Sequence, residues 1–174
     1  MRRASLLVFS FYLLVLFASC GDRTPIIEVQ QEDKDPLKEN LINANRLVAQ
    51  SETTQIDAYV QRHDWKVTSL PCGARYMVTE TGKGGFIATN DTVAVLYRLE
   101  ALDGTVFYSQ QRDTLVQGHR QVTLALDELL EQVPYGSKVR MIVPSGSAYG
   151  VTGDGDRVGG RTVIVYDIIE VKKL

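Results

Sequence analysis

The chain has 174 residues, 44% of them hydrophobic, with 19 Lys and Arg against 21 Asp and Glu for a formal net charge of −2. That is enough apolar side chain to bury the core of one domain and leave an extension over. A mildly acidic balance with no block of basic residues argues against a nucleic-acid partner.

Arg2 and Arg3 precede residues 6–17, an apolar run of 12 residues. This length suits the core of an export signal and falls short of the ~20 residues that span a bilayer. Ala18 and Ser19 are small, and Cys20 follows. The ending resembles a bacterial lipobox, with Phe17 where a leucine is usual. Residues 1–19 are therefore expected to be a lipoprotein signal peptide, and Cys20 the lipidated first residue of the exported chain. Two or three acyl chains, at roughly 0.8 kcal/mol per buried methylene, make such an anchor stable. With Cys20 committed to lipid, Cys72 has no partner for an internal disulfide. His63 and His119 have no cysteine or carboxylate at ligand spacing, so no metal site is expected.

Residues 20–36 are polar and broken by Pro25 and Pro36, the composition of a flexible tether. Residues 37–66 read as a helical arm: Leu37, Leu41, Ala44 and Val48 recur at three- and four-residue steps, and Ile56, Tyr59 and Val60 resume the pattern. Weak helix formers at 51–54 allow a break there. Packing on the following domain and pairing with a second copy into a homodimer are both open to the apolar stripe. Residues 67–174 form the remaining domain. Residues 75–81 read as a strand, and residues 92–100 as another with Val93, Val95, Tyr97 and Leu99 on one face. Leu102-Asp103-Gly104-Thr105 is a hairpin signal, with the chain returning through residues 106–108. Leu126, Leu129, Leu130 and Val133 mark one short helix, ended by Pro134 and Gly136. Residues 137–143 alternate again, and residues 162–171 are apolar on both faces, which predicts the middle of a sheet. The expected class is α+β, an antiparallel twisted sheet wrapped around one short helix and preceded by the arm.

The most telling residues are Ser147-Ala148-Tyr149-Gly150, set after a strand that leaves a helix–glycine turn, with Tyr166 following 17 residues after Tyr149. Val95-Leu96-Tyr97, the hairpin Leu102-Asp103-Gly104 and then Phe107 make a second group. In order, spacing and strand context, residues 74–174 resemble the FKBP-type peptidyl-prolyl cis-trans isomerases. The whole plan, with signal, tether and helical arm, is similar to small lipoproteins of Bacteroidetes.

The resemblance implies a function and a site. The activity would be cis–trans isomerisation of X–Pro bonds in exported polypeptides, on a cell envelope to which the protein is tethered by lipid. Tyr149, Phe107, Tyr97 and Tyr166 would be the catalytic residues: Tyr149 as hydroxyl donor to the substrate carbonyl, Phe107 and Tyr166 as apolar walls, Tyr97 beside them. Val122, Thr123, Leu126, Val158 and Tyr108 would contact substrate, and the Thr123 N–H would be a second donor. No bond breaks in this reaction, so it calls for no nucleophile, metal or cofactor. A non-catalytic module of the same fold that grips proline-containing segments, a chaperone, is the alternative. Departures from the family pattern fall on the walls. Tyr108 stands where an aspartate is usual and Leu126 where a tryptophan is. The segment between Ser109 and Gln121 is shorter, with Leu115 the nearest apolar residue to a missing wall phenylalanine. The tip loop, residues 153–160, is rich in glycine and aspartate; a contact with client chains is expected of it.

Overall fold

The computed structural model describes residues 36–174. The expected signal peptide, Cys20 and the expected tether up to residue 35 lie outside the described residues. Helix α1 spans Pro36–Arg62, opening on a proline whose fixed φ suits a first helical position and whose missing N–H would have no partner there. It runs unbroken through residues 51–54. The Thr53 and Thr54 hydroxyls donate back to the carbonyls of Ala49 and Gln50, at 2.8 and 3.0 Å, within the helix's own groove. Asp64, at φ 51°, takes the left-handed position that ends the helix. The Trp65 N–H then donates to Val60 O at 3.1 Å, closing a Schellman-type cap.

Six strands follow: β1 (Thr68–Ser69), β2 (Arg75–Glu80), β3 (Thr92–Ala101), β4 (Val106–Val116), β5 (Lys138–Val143) and β6 (Ile164–Lys173). A short helix, α2 (Leu124–Leu130), lies between β4 and β5, and a single 3-10 turn occupies Ser145–Ser147. The sheet is antiparallel throughout, in the order β1-β2-β5-β6-β3-β4. The strand expected at the centre, β6, is hydrogen-bonded on both sides, to β5 and β3. Strand β4 is longer than the three residues first read from the sequence. It continues to Val116 through polar residues that bond to β3 despite their low apolar content.

The double-sided apolar pattern of the last strand has a direct cause. Ile164, Tyr166 and Ile168 point to one face, where α2 buries Ala125, Leu126, Leu129 and Leu130 against them. Val163 and Val165 point to the other and meet Ile56 and Tyr59 of α1. Burying a Leu or Ile side chain stabilises by about 1.5–3 kcal/mol, so both faces contribute to folding. Only the second half of α1 is used. Glu52 is buried with it, and its carboxylate accepts the Ser145 N–H at 3.0 Å and the Ser145 hydroxyl at 2.5 Å. In the first half, Leu41, Ile42 and Leu47 remain exposed.

Candidate active site

Four parts of the chain converge beside α2. The inward row of β3 supplies Tyr97, and β6 supplies Tyr166, its ring edge-on to Tyr97 with centroids 5.0 Å apart. The turn into α2 supplies Thr123, whose hydroxyl lies 3.2 Å from that of Tyr166. The stretch after the 3-10 turn supplies Tyr149, whose hydroxyl stands 3.5 Å from Tyr166 Oη.

The backbone around Tyr149 is pinned on both sides. Ala148 and Gly150 both donate to Ser145 O, at 3.1 and 2.8 Å, and Arg161 donates to Gly150 O at 2.7 Å. Ser147 Oγ donates to Cys72 O at 2.6 Å. Ser145 is itself held by Glu52 of α1. Gly150 adopts φ 66°, a left-handed conformation that glycine takes without a steric penalty.

Between these parts lies a half-open cavity of about 280 Å³, lined by Asp113, Gln121, Val122, Thr123, Ala148, Tyr149 and Tyr166. It falls just below the ~300–1,000 Å³ of sites that enclose drug-sized ligands, a volume suited to one side chain and its flanking amide. A larger hollow of about 450 Å³ lies between α1 and the β3–β4 hairpin, lined by Gln55, Ala58, Arg62, Leu102 and Asp103. It is open to solvent and gathers neither aromatic rings nor phenol hydroxyls, both of which line the smaller cavity.

The hydroxyls around the cavity stay protonated. Burial raises the Tyr149 phenol above its ordinary value, and burial raises that of Tyr166 much further. Tyr97 is raised well above the normal range by burial first and by its hydrogen bond to Asp113 second. Each therefore remains a neutral donor across the physiological range. The Thr123 N–H, one residue ahead of α2, has no acceptor among the described residues.

Of the residues singled out from the sequence, Tyr149, Tyr166, Val122 and Thr123 line the cavity. Tyr97 lies beneath, 3% exposed, and reaches the wall through Asp113. Phe107 packs half-buried against the core cluster, outside the cavity lining. Leu126 and Val158 are buried, with almost no surface to present to a substrate. Tyr108 also lies outside the lining, because its hydroxyl is engaged elsewhere: it donates to Asp154 Oδ2 at 2.6 Å and lies 3.4 Å from Asp156 Oδ2. That bond pushes its pKa up to about 12. The tip loop is closed on itself, with Asp154 Oδ1 accepting the N–H groups of Asp156, Arg157 and Val158 at 2.9, 3.0 and 2.8 Å. Burial works to raise the Asp154 pKa, but the Tyr108 hydroxyl and these N–H groups outweigh it and hold the carboxyl below its usual value.

Asp113 was missed. Its signal was available in the alternation of β4, where Leu115, Asp113 and Gln111 form every second residue opposite Val93, Val95 and Tyr97.

The fold is shared with known proteins. A crystal structure of AtFKBP13 aligns over all of its own chain and 63% of this one, with a TM-score of 0.57 at 19% identity, a likeness of fold. A peptidyl-prolyl cis-trans isomerase from Pseudomonas syringae pv. tomato aligns at a TM-score of 0.59 and 26% identity, over 73% of this chain and 95% of its own. The family model described as FKBP-type peptidyl-prolyl cis-trans isomerase matches residues 84–171, half of the chain. The chain belongs to that family. Among curated relatives, "Outer membrane protein MIP" of Legionella longbeachae is 30% identical over 72% of this chain and 56% of its own length. The probable isomerase FkpA of Neisseria meningitidis is 30% identical over 61% of this chain and 40% of its own. The 22 kDa isomerase of Escherichia coli is 31% identical over 59% and 50%. The chain thus spans about half the length of the curated relatives it matches.

Proposed function

We propose that this protein isomerises X–Pro bonds of exported polypeptides in the cavity between Thr123, Tyr149 and Tyr166. The observation that carries the reading is the set of neighbouring hydroxyls of Thr123, Tyr149 and Tyr166 around one cavity of a prolyl isomerase fold.

The physical argument starts with the amide. Its C–N bond owes its stiffness to a resonance form that puts negative charge on oxygen, behind a rotational barrier of ~18–20 kcal/mol. Water stabilises that planar, polar form. A cavity walled by Val122, Ala148 and the ring of Tyr166 takes water off the amide and favours the twisted state. A Tyr149 hydroxyl bond to the carbonyl oxygen, with the Thr123 N–H as second donor, orients the substrate as it turns. A 10⁴-fold acceleration needs about 5.4 kcal/mol, the scale of one or two hydrogen bonds in a dry site together with desolvation. Phe107 and Tyr97 act from behind by fixing the walls.

A protease-coupled assay with proline tetrapeptides tests this. Turnover that falls sharply in Tyr149→Phe supports catalysis. Absence of turnover, with suppression of client aggregation by the same preparation, points instead to a binding module.

The rest of the proposal concerns where this happens. Residues 1–19 would be removed on export and Cys20 lipidated, tethering the domain to a membrane of the cell envelope as in a Bacteroidetes-type lipoprotein. The exposed Leu41, Ile42 and Leu47 of α1 would pair with the same face of a second copy. Mass spectrometry of the membrane-extracted protein checks the lipid, and light scattering of wild type against Leu41→Glu checks the dimer.

A further inference from the structure

Strand β4 carries a carboxylate where its alternation calls for an apolar side chain. Asp113 pairs with the buried Val95 and lies between Leu115 and Gln111 on the inward row, which brings it into the cavity wall. One carboxylate oxygen accepts the Tyr97 hydroxyl at 2.7 Å, and the other accepts only the Gln111 amide, at a long 3.3 Å. Neither bond supplies positive charge. Among the described residues no Lys or Arg forms an ion pair with Asp113.

The cavity lining contains no cation. Arg157, on the tip loop, is engaged elsewhere: it donates to Phe107 O at 3.0 Å, lies 5.2 Å over the Tyr108 ring, and sits 3.7 Å from Asp156. A carboxylate held by neutral donors at the edge of a half-open cavity attracts a cation more strongly than it would in bulk water.

We infer that Asp113 is a specificity-determining residue that favours polypeptides with Lys or Arg immediately before the proline. The inference rests on the proposed isomerase reading of the same cavity. With the prolyl ring inside and its amide carbonyl at Tyr149, the preceding residue is attached to that carbonyl. The long apolar stem of Lys or Arg lies along Val122 and Ala148 while its head reaches Asp113. An uncharged side chain of the same length gains the apolar contact and loses the ion pair.

The test compares two peptides that differ only in Lys or norleucine before the proline. Both turnover and binding are measured on the intact protein at low and high salt. The ratio of kcat/KM for Lys over norleucine is expected to be about three- to tenfold at low salt, the scale of a partly exposed ion pair, and to shrink as salt rises. In Asp113→Asn the ratio is expected to fall to one or below, whatever that variant does to absolute activity. A ratio of one in the wild-type protein, or a Lys preference that survives in Asp113→Asn, overturns the inference and leaves the isomerase reading standing. If neither peptide is turned over, the isomerase reading fails. The ratio of dissociation constants then decides on the Asp113 preference: tighter Lys peptide binding lost in Asp113→Asn upholds it, and equal binding overturns it.

Discussion

The Tyr97 hydroxyl donates to Asp113 Oδ2 at 2.7 Å across the β3–β4 ladder, although the two residues are not opposite one another. Tyr97 pairs with Gln111, and Asp113 with Val95, so the bond runs diagonally along the inward face. Tyr97 is almost fully buried, and the bond is its outlet for a polar group that would otherwise be stranded in the core. Tyr97→Phe removes that donor from the carboxylate. Its urea midpoint is expected to drop by the equivalent of about 1–3 kcal/mol, the scale of losing a hydrogen bond to a charged group. An unchanged midpoint contradicts this role.

Glu52 ties α1 to the 3-10 turn that carries Tyr149. Glu52→Ala leaves the Ser145 N–H buried without its acceptor. Stability is expected to fall by about 2 kcal/mol. Hydrogen exchange in the second half of α1 and in residues 145–150 is expected to quicken together. Loosening confined to α1 contradicts a link between the arm and the site.

Asp91 links the end of β6 to the turn after α2. Its carboxyl is lowered from 3.8 to about 2 by the Lys173 ammonium first, then the Ala88 N–H and the Tyr135 hydroxyl. A depressed native value means stability that is present above pH ~4, where the unfolded chain has already ionised, and lost as pH falls toward the native value. Between these limits the wild-type protein should lose more stability than Asp91→Asn. Acid titration of the thermal midpoint measures the difference, and parallel curves for the two proteins exclude it.

Tyr108 reports on the tip loop. Its phenol is pushed up to about 12, chiefly because its hydroxyl donates to Asp154. In Asp154→Asn the carboxylate no longer favours the neutral phenol, so the Tyr108 pKa is expected to fall toward 10, the ordinary value. Tyrosinate absorbance against pH, with Tyr108→Phe to assign the signal, follows this. No movement of the Tyr108 step contradicts the contact.

Periodicity made most of this architecture legible. The short helix α2 has a simple apolar stripe, and β6 has residues for two faces because two helices cover it. The second half of β4 was not legible, since Ser109, Gln110, Gln111 and Arg112 lack strand-like hydrophobicity; Gln111 and Arg112 pair with Tyr97 and Leu96 of β3 beyond a register shift at Ser109 and Gln110. The site followed the same division. Tyr149 and Tyr166 stood out through the family resemblance that their order and spacing support, whereas Asp113 became visible only with the β3–β4 register. The resemblance places Tyr108 against the substrate, and nothing in its local sequence points to Asp154, 46 residues away. The hydroxyl network depends on which residues separate segments bring together, a property of packing that local pattern does not encode.

Exchange NMR of a proline peptide with the intact protein tests the central claim most directly. The account predicts faster cis–trans exchange of the peptide, with chemical-shift changes at Val122, Thr123, Tyr149 and Tyr166. Exchange at the uncatalysed rate, or shifts confined to the hollow beside Gln55 and Arg62, would contradict it.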